Sequence, residues 1–182
     1  MEANIFGNPH IGLEPTLFYN IDIFVEPFRL DQDALDMEFE NEVDSNFSLE
    51  FIQLDVKDWR NLDGETFYLK PDDVDGSLYI SYAHNPVDIQ QITFREKSKN
   101  HFIIDCVLFI DFEFEDSGYQ NTTVAFKDLP LQFEGLRIDV ELVNPPEWNS
   151  ETAQTFAKDF VNLQAYEKPS INSKVLFNPF LE

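Results

Sequence analysis

Cysteine is almost missing from this chain: Cys106 is the only one in 182 residues, so no disulfide can form within it. An apolar core must hold the fold. Glycine is scarce too, and the 6 present form neither G-x-G-x-x-G nor G-x-x-x-x-G-K, which removes the two common phosphate-cradling loops. The three histidines, His10, His84 and His101, are scattered without the paired spacing of a zinc site. The longest unbroken apolar run is "CVLFI", residues 106 to 110, far short of the roughly 20 residues that span a bilayer. "MEANIFGNPHIG" has neither a basic start nor an apolar stretch of signal-peptide kind, so a reducing, cytoplasmic setting is expected. Basic residues are the sharpest deficit. Lys and Arg number 12 against 35 Asp and Glu, a formal net charge of −23, which disfavours nucleic acid and anionic membrane as partners and favours a basic protein.

Apolar residues make up 43% of the chain and aromatics 15%, with 19 Phe, enough for a packed core despite the charge. The length suits a single domain over 1–182. The dominant period is two. "TLFYNIDIFVEP", 16 to 27, puts Leu17, Tyr19, Ile21, Ile23 and Val25 on one face. "FSLEFIQLDV", 47 to 56, starts with Phe47, Leu49 and Phe51 inward and changes phase to Ile52, Leu54 and Val56, which predicts a β-bulge near Phe51. Strands follow at 76 to 83 and 87 to 97, with "DG" at 75 and "NP" at 85 as turn signals, and "KSKN" as the turn before "HFIIDCVLFIDFEFE". That last strand, 101 to 115, is apolar at every even position and should lie centrally, with Cys106 buried. Two more strands are expected at 122 to 129 and 135 to 143.

One segment has another period. "NSETAQTFAKDFVNLQAYEK" contains neither Gly nor Pro, and Ala153, Phe156, Ala157, Phe160 and Leu163 recur at helical spacing behind an N-cap at Asn149 or Ser150. The expected fold is therefore mainly β: an antiparallel β-sandwich or curled sheet from strands over roughly 16–143. One C-terminal amphipathic helix, 150–166, packs on it, and a tail, 167–182, docks back (α+β).

No residue set calls for catalysis, a cofactor or a metal. "PDDVDG", 71 to 76, resembles a calcium loop, but aligning Gly76 to the loop's sixth position puts Pro71 first and Tyr82 twelfth, where acids are needed. A turn at Asp75-Gly76 is the simpler expectation. Cys106 lies among large hydrophobes, and His84 reads as a solvent-facing loop residue with no nucleophile set beside it. Trp59, Trp148, Tyr79 and Tyr82 are the aromatics that a sugar-binding face would use.

What does concentrate is negative charge. From Asp31 to Asp58 the chain has ten acids and one base, Lys57. Within it "LDMEFENEV" alternates Leu35, Met37 and Phe39 with Asp36, Glu38, Glu40 and Glu42, so that an extended strand would carry a row of carboxylates about 6 to 7 Å apart. Asp111, Glu113 and Glu115 form a second short row. Such rows either guard a sheet edge against pairing or meet a cationic cleft and steer encounter with it. In acidity, size and lack of catalytic motifs the chain is similar to bacterial immunity proteins, and the resemblance is one of composition. It implies a non-enzymatic inhibitor of a basic toxin such as a nuclease, with the two rows as the partner-binding residues. A carbohydrate-binding β-sandwich module and an acidic structural or complex subunit are the alternatives.

Overall fold

The computed structural model describes residues 1–11, 15–29, 42–80, 83–114, 119–139 and 147–181. The main sheet contains β1 (Glu2–Ile11), β2 (Pro15–Phe24), β5 (Asn46–Ile52), β7 (Asp75–Ile80), β8 (Ala83–Ser98), β9 (His101–Ile110) and β10 (Thr122–Asp139) in that spatial order. β3 (Phe28–Arg29) and β4 (Glu42–Val43) form a separate pair, and β6 (Thr66–Tyr68) adds to β8. At the far side, β11 (Ser170–Ile171) and β12 (Lys174–Phe177) extend β10. The predicted mainly-β class is what the chain adopts, with one α-helix among the described residues.

The sheet closes on itself, because β1 also pairs in parallel with β10. Ile5 pairs with Ile21, which pairs with Leu49. Beyond β7 the same row reaches Val87, Ile110 and Thr122, yet the other neighbour of Ile5 on β10 is Phe133. Strands that return to their start displaced along the chain are the stagger of a closed barrel. Its interior is filled by the inward parity of each strand: Ile5, Tyr19, Ile21, Ile23, Leu49, Ile89, Ile92, Phe94, Ile104, Leu108 and Phe133 are all buried. Cys106 is buried among them, and burial pushes its thiol up to about 12.

Several boundaries differ from the sequence reading. The N-terminal stretch, outside the strands expected over 16–143, forms β1. The predicted bulge is present, since Tyr19 pairs with Ile52 and Ile21 with Leu49, leaving Glu50 and Phe51 opposite Asn20 alone. Phe51, expected inward, is instead 43% exposed with φ +58°. Asp75-Gly76 is no turn: both residues pair within the sheet, with Glu50 and Leu49, after a 3-10 turn at Pro71–Asp73 that interrupts the chain between β6 and β7, which both run antiparallel to β8. Asn85-Pro86 lies inside β8, where the buried Asn85 Nδ2 donates to the carbonyls of Leu78 and Ala83. The strand predicted over 101–115 stops at Ile110, because Asp111 N–H donates to Pro86 O and Asp111 Oδ1 then accepts from Phe114 N–H, turning the chain. The turn before that strand falls at Lys99 and Asn100, as "KSKN" suggested.

The strands predicted at 122–129 and 135–143 are a single β10, described to Asp139. Pro130 does not break it. A bulge between Phe126 and Leu129 precedes Pro130, and ladder pairing is already disturbed there. Asp128 sits in that bulge at φ +53°, and its N–H donates to Asp105 Oδ1 while Arg95 bonds both carboxylates. Three strands are thus tied at the bend.

The helix α1 runs only Ser150–Ala157, not to 166, although its cap is the expected Asn149, whose side chain accepts from the N–H groups of Glu151 and Thr152. Tertiary bonds end it. Asn162 N–H donates to Lys57 O and Asn162 Nδ2 to Asp58 Oδ2, both at 2.8 Å, which draws the chain out of helical register while Phe160 and Val161 still bury their side chains. The chain after α1 covers the barrel end where β9 begins. There Trp59 stacks on Phe133 at 5.1 Å and donates Nε1–H to Ala165 O, and Tyr166 packs edge-on against Phe177. The tail docks as predicted through Val175 and Phe177, whereas Phe180 and Leu181 stay partly exposed.

Asp58 is the junction of this cover. Its carboxylate accepts from Arg60 N–H, from the Arg60 guanidinium and from Asn162. The bond from the Arg60 side chain is the largest cause that holds its pKa below the ordinary carboxylate value of 3.8. A depressed carboxyl stabilises the fold above that value and loses its contribution as pH falls through the folded pKa. Asp58→Asn should therefore cost about 1 kcal/mol at neutral pH, discounted for partial exposure. In urea titrations over a pH series, the gap between wild type and variant should close as pH drops below 3.8. A gap that stays constant would show that Asp58 acts through packing alone.

Candidate functional site

Of the expected partner-binding residues, Asp36, Glu38, Glu40 and Glu115 lie outside the described residues. Glu42 pairs with Arg29 across the β3–β4 ladder. Asp111 and Glu113 sit on the connection from β9 to β10 rather than emerging along a strand. Asp111 is engaged in its turn, and Glu113 N–H donates to Asn121 Oδ1. Phe24 pairs with Asn46, and Ile110 with both Val87 and Thr122, so the connections bearing both predicted rows leave the barrel at one end.

A different surface has the shape of a site. Where β5 runs past its bulge and β7 has yet to begin, the barrel wall opens into a groove of about 890 Å³. Phe51, Gln53, Leu54 and Asp55 form one wall, Thr66 to Leu69 the other, and Asp73, Val74 and Asp75 one end, with Phe18 beside Phe51. The local sequence explains each part. The bulge flips Phe51 out of the core, and its ring packs edge-on against Phe18 at 5.8 Å. β6 pairs alongside β8 with Phe67 turned towards Phe94, ring centroids 5.9 Å apart, so its neighbour Tyr68 is left 76% exposed. The 3-10 turn aims Asp73 back, its Oδ2 accepting from Lys70 N–H.

Two features set this groove apart. Its described lining includes three acids, Asp55, Asp73 and Asp75, and no base. Phe51 and Asp55, both on its wall, have φ of +58° and +52°. A bulky residue in the left-handed region costs of order 1 kcal/mol or more and persists only where its surroundings enforce it. The backbone that presents the Phe51 ring and the Asp55 carboxylate is therefore enforced by its surroundings. Such a lining suits a cation that carries apolar stem or rings: carboxylates meet the charge, and aromatic faces meet the rest.

The other sequence candidates fall elsewhere. Trp59 is buried in the core, and Tyr79, 55% exposed, packs against His84 with ring centroids 5.0 Å apart. His84 lies in a strand, not a loop. Tyr82 is outside the described residues, and no group of three or more metal-ligating side chains gathers among the described ones. The groove was missed from sequence although one signal marked it, the phase change at Phe51. Among the described residues no helix is long and apolar enough to cross a membrane. No protein-family model, no curated protein and no solved structure matches this chain.

Proposed function

We propose that this chain is a non-enzymatic inhibitor that binds a basic protein, of the kind exemplified by bacterial immunity proteins, working in the cytoplasm on a toxin such as a nuclease. The observation that supports it is a groove whose described lining joins aromatics and carboxylates without a base, on a chain of net charge −23. A cationic cleft that binds nucleic acid would meet this surface with opposite charge, and the long-range field would speed encounter. The acidic rows at Asp36, Glu38, Glu40 and Glu42 and at Asp111, Glu113 and Glu115 add to that field, while the groove makes the contact. Nucleic acid and anionic membrane are repelled by the same charge.

Co-expression with the protein encoded by the adjacent reading frame tests this reading. If that protein arrests growth alone, the chain should restore growth and form a complex whose association slows with added salt. Failure to restore growth, with no complex at low salt, would contradict it.

A further inference from the structure

We propose that the partner segment bound in the groove is an extended, lysine- or arginine-bearing stretch that joins the barrel as an added strand along the open edge of β6. The inference rests on the groove being the contact surface and adds how it is read. The geometry comes from the ladder between β6 and β8. Thr66 pairs with Thr93, Phe67 with Ile92 and Tyr68 with Gln91, all antiparallel. Phe94 N–H donates to Glu65 O at 2.9 Å, which puts that pair in a hydrogen-bonded row. Hydrogen-bonded and non-bonded pairs alternate along an antiparallel ladder, so Phe67 directs its backbone groups to β8 and Thr66 and Tyr68 direct theirs into the groove.

Among the described residues β6 pairs with β8 alone. No described strand fills the space in front of that edge, because the first residue of β7, Asp75, pairs with Glu50, and β5 has no described strand neighbour on that side from Phe51 onward. The groove is thus a gap beside a sheet, bounded by the strand edge of β6 on one side and on the other by residues 53 to 55, which lie past the end of β5 and hold no regular ladder. Strand addition to an open edge takes affinity from main-chain bonds and specificity from alternate side chains. Here alternate residues of an incoming strand would meet Asp55, Asp73 and Asp75, and the rings of Phe51 and Tyr68 would cover the aliphatic stems. Charge decides the occupant: a second copy of this chain brings another −23, whereas a basic segment neutralises the lining.

The probe is a short labelled peptide alternating lysine and valine, followed by fluorescence anisotropy. It should bind, weaken with added salt, and exceed a glutamate–valine counterpart. N-methylation of the alternate amides on one peptide edge should weaken binding about tenfold, the equivalent of about 1.4 kcal/mol of lost backbone hydrogen bonding, while methylation on the other edge leaves it unchanged. Tyr68→Pro, which removes a groove-directed N–H, should do the same. If that variant does not fold, the methylation series alone decides. Equal binding of both methylated peptides overturns strand addition and leaves the acidic contact surface standing. Equal binding of the lysine and glutamate peptides, or no binding by either, overturns both.

Discussion

Gly76→Ala and Gly135→Ala should each lower stability by about 2 to 5 kcal/mol, the largest effect expected of any single-methyl change in the barrel. At Gly76 a Cβ would lie 2.0 Å from the carbonyl oxygen of Val87, and the obstacle is backbone, so no rotamer change relieves it. β7 and β8 would have to part. At Gly135 the Cβ would lie 2.1 Å from the carbonyl oxygen of Phe177, and φ is +115°, so the strain of a side chain in that backbone conformation adds to the clash. β12 would be pushed off β10, taking Val175 and Phe177 out of the core. Gly64 is the control. It has φ +80° but open space around it, so Gly64→Ala should cost only about 1 kcal/mol. Urea unfolding of the three variants reads the ranking directly, and a Gly76→Ala protein as stable as wild type would show that the two strands are not packed this closely.

Replacing Asp55, Asp73 and Asp75 together by Asn should weaken binding of a basic partner by at least about tenfold at low salt. The variant should still fold. The amide oxygen introduced by Asp73→Asn remains an acceptor for Lys70 N–H, and asparagine tolerates the left-handed backbone at position 55 at least as well as Asp. Removing exposed repulsion can only help the compact state slightly. The comparison that separates contact from steering is the variant with Asp36, Glu38, Glu40 and Glu42 changed to Asn or Gln. Remote charges act on the association rate and vanish with screening, whereas groove carboxylates that touch the partner also hold back dissociation. Stopped-flow rates should therefore show the row variant slow in association only and the groove variant altered in both steps. Should the row variant alone change dissociation, the contact surface lies with the row.

What the sequence disclosed was periodicity, and what it concealed was tertiary. Alternation in 16–27 and 101–110 marked strands because one face enters an apolar interior, and Asn149 marked the helix start because its side chain satisfies local N–H groups. Closure of the barrel left no local trace, since it depends on β1 meeting β10 across more than a hundred residues of chain. The end of α1 was illegible for the same reason: Lys57 and Asp58 extract Asn162 from a segment whose own pattern continues as a helix. Glycine and proline misled in the opposite direction. Gly76 and Pro86 read as turn residues, yet Gly76 is there because no Cβ fits, and Pro86 sits within β8 with its carbonyl receiving Asp111 N–H.

The site followed the same division. Acid-rich segments were visible as charge, but the sequence ranked the row at 36 to 42 above the groove acids, of which Asp55 lies about twenty residues before Asp73 and Asp75 and shares a groove with them only because β5 and β7 pair. The bulge at Phe51 was legible as a change of phase. Its consequence, a ring turned outward at the groove wall, was not, because parity alone could not say on which residue the phase breaks.

Mapping amide shifts of the isotopically labelled chain during titration with the lysine–valine peptide tests the central claim most directly. The account predicts that residues 51 to 55, 66 to 69 and 73 to 75 move first and saturate together, with the amides of Thr66 and Tyr68 among the largest changes. Shifts that spread evenly over the acidic surface, or that concentrate at 36 to 42 and 111 to 115 while the groove stays still, would contradict it.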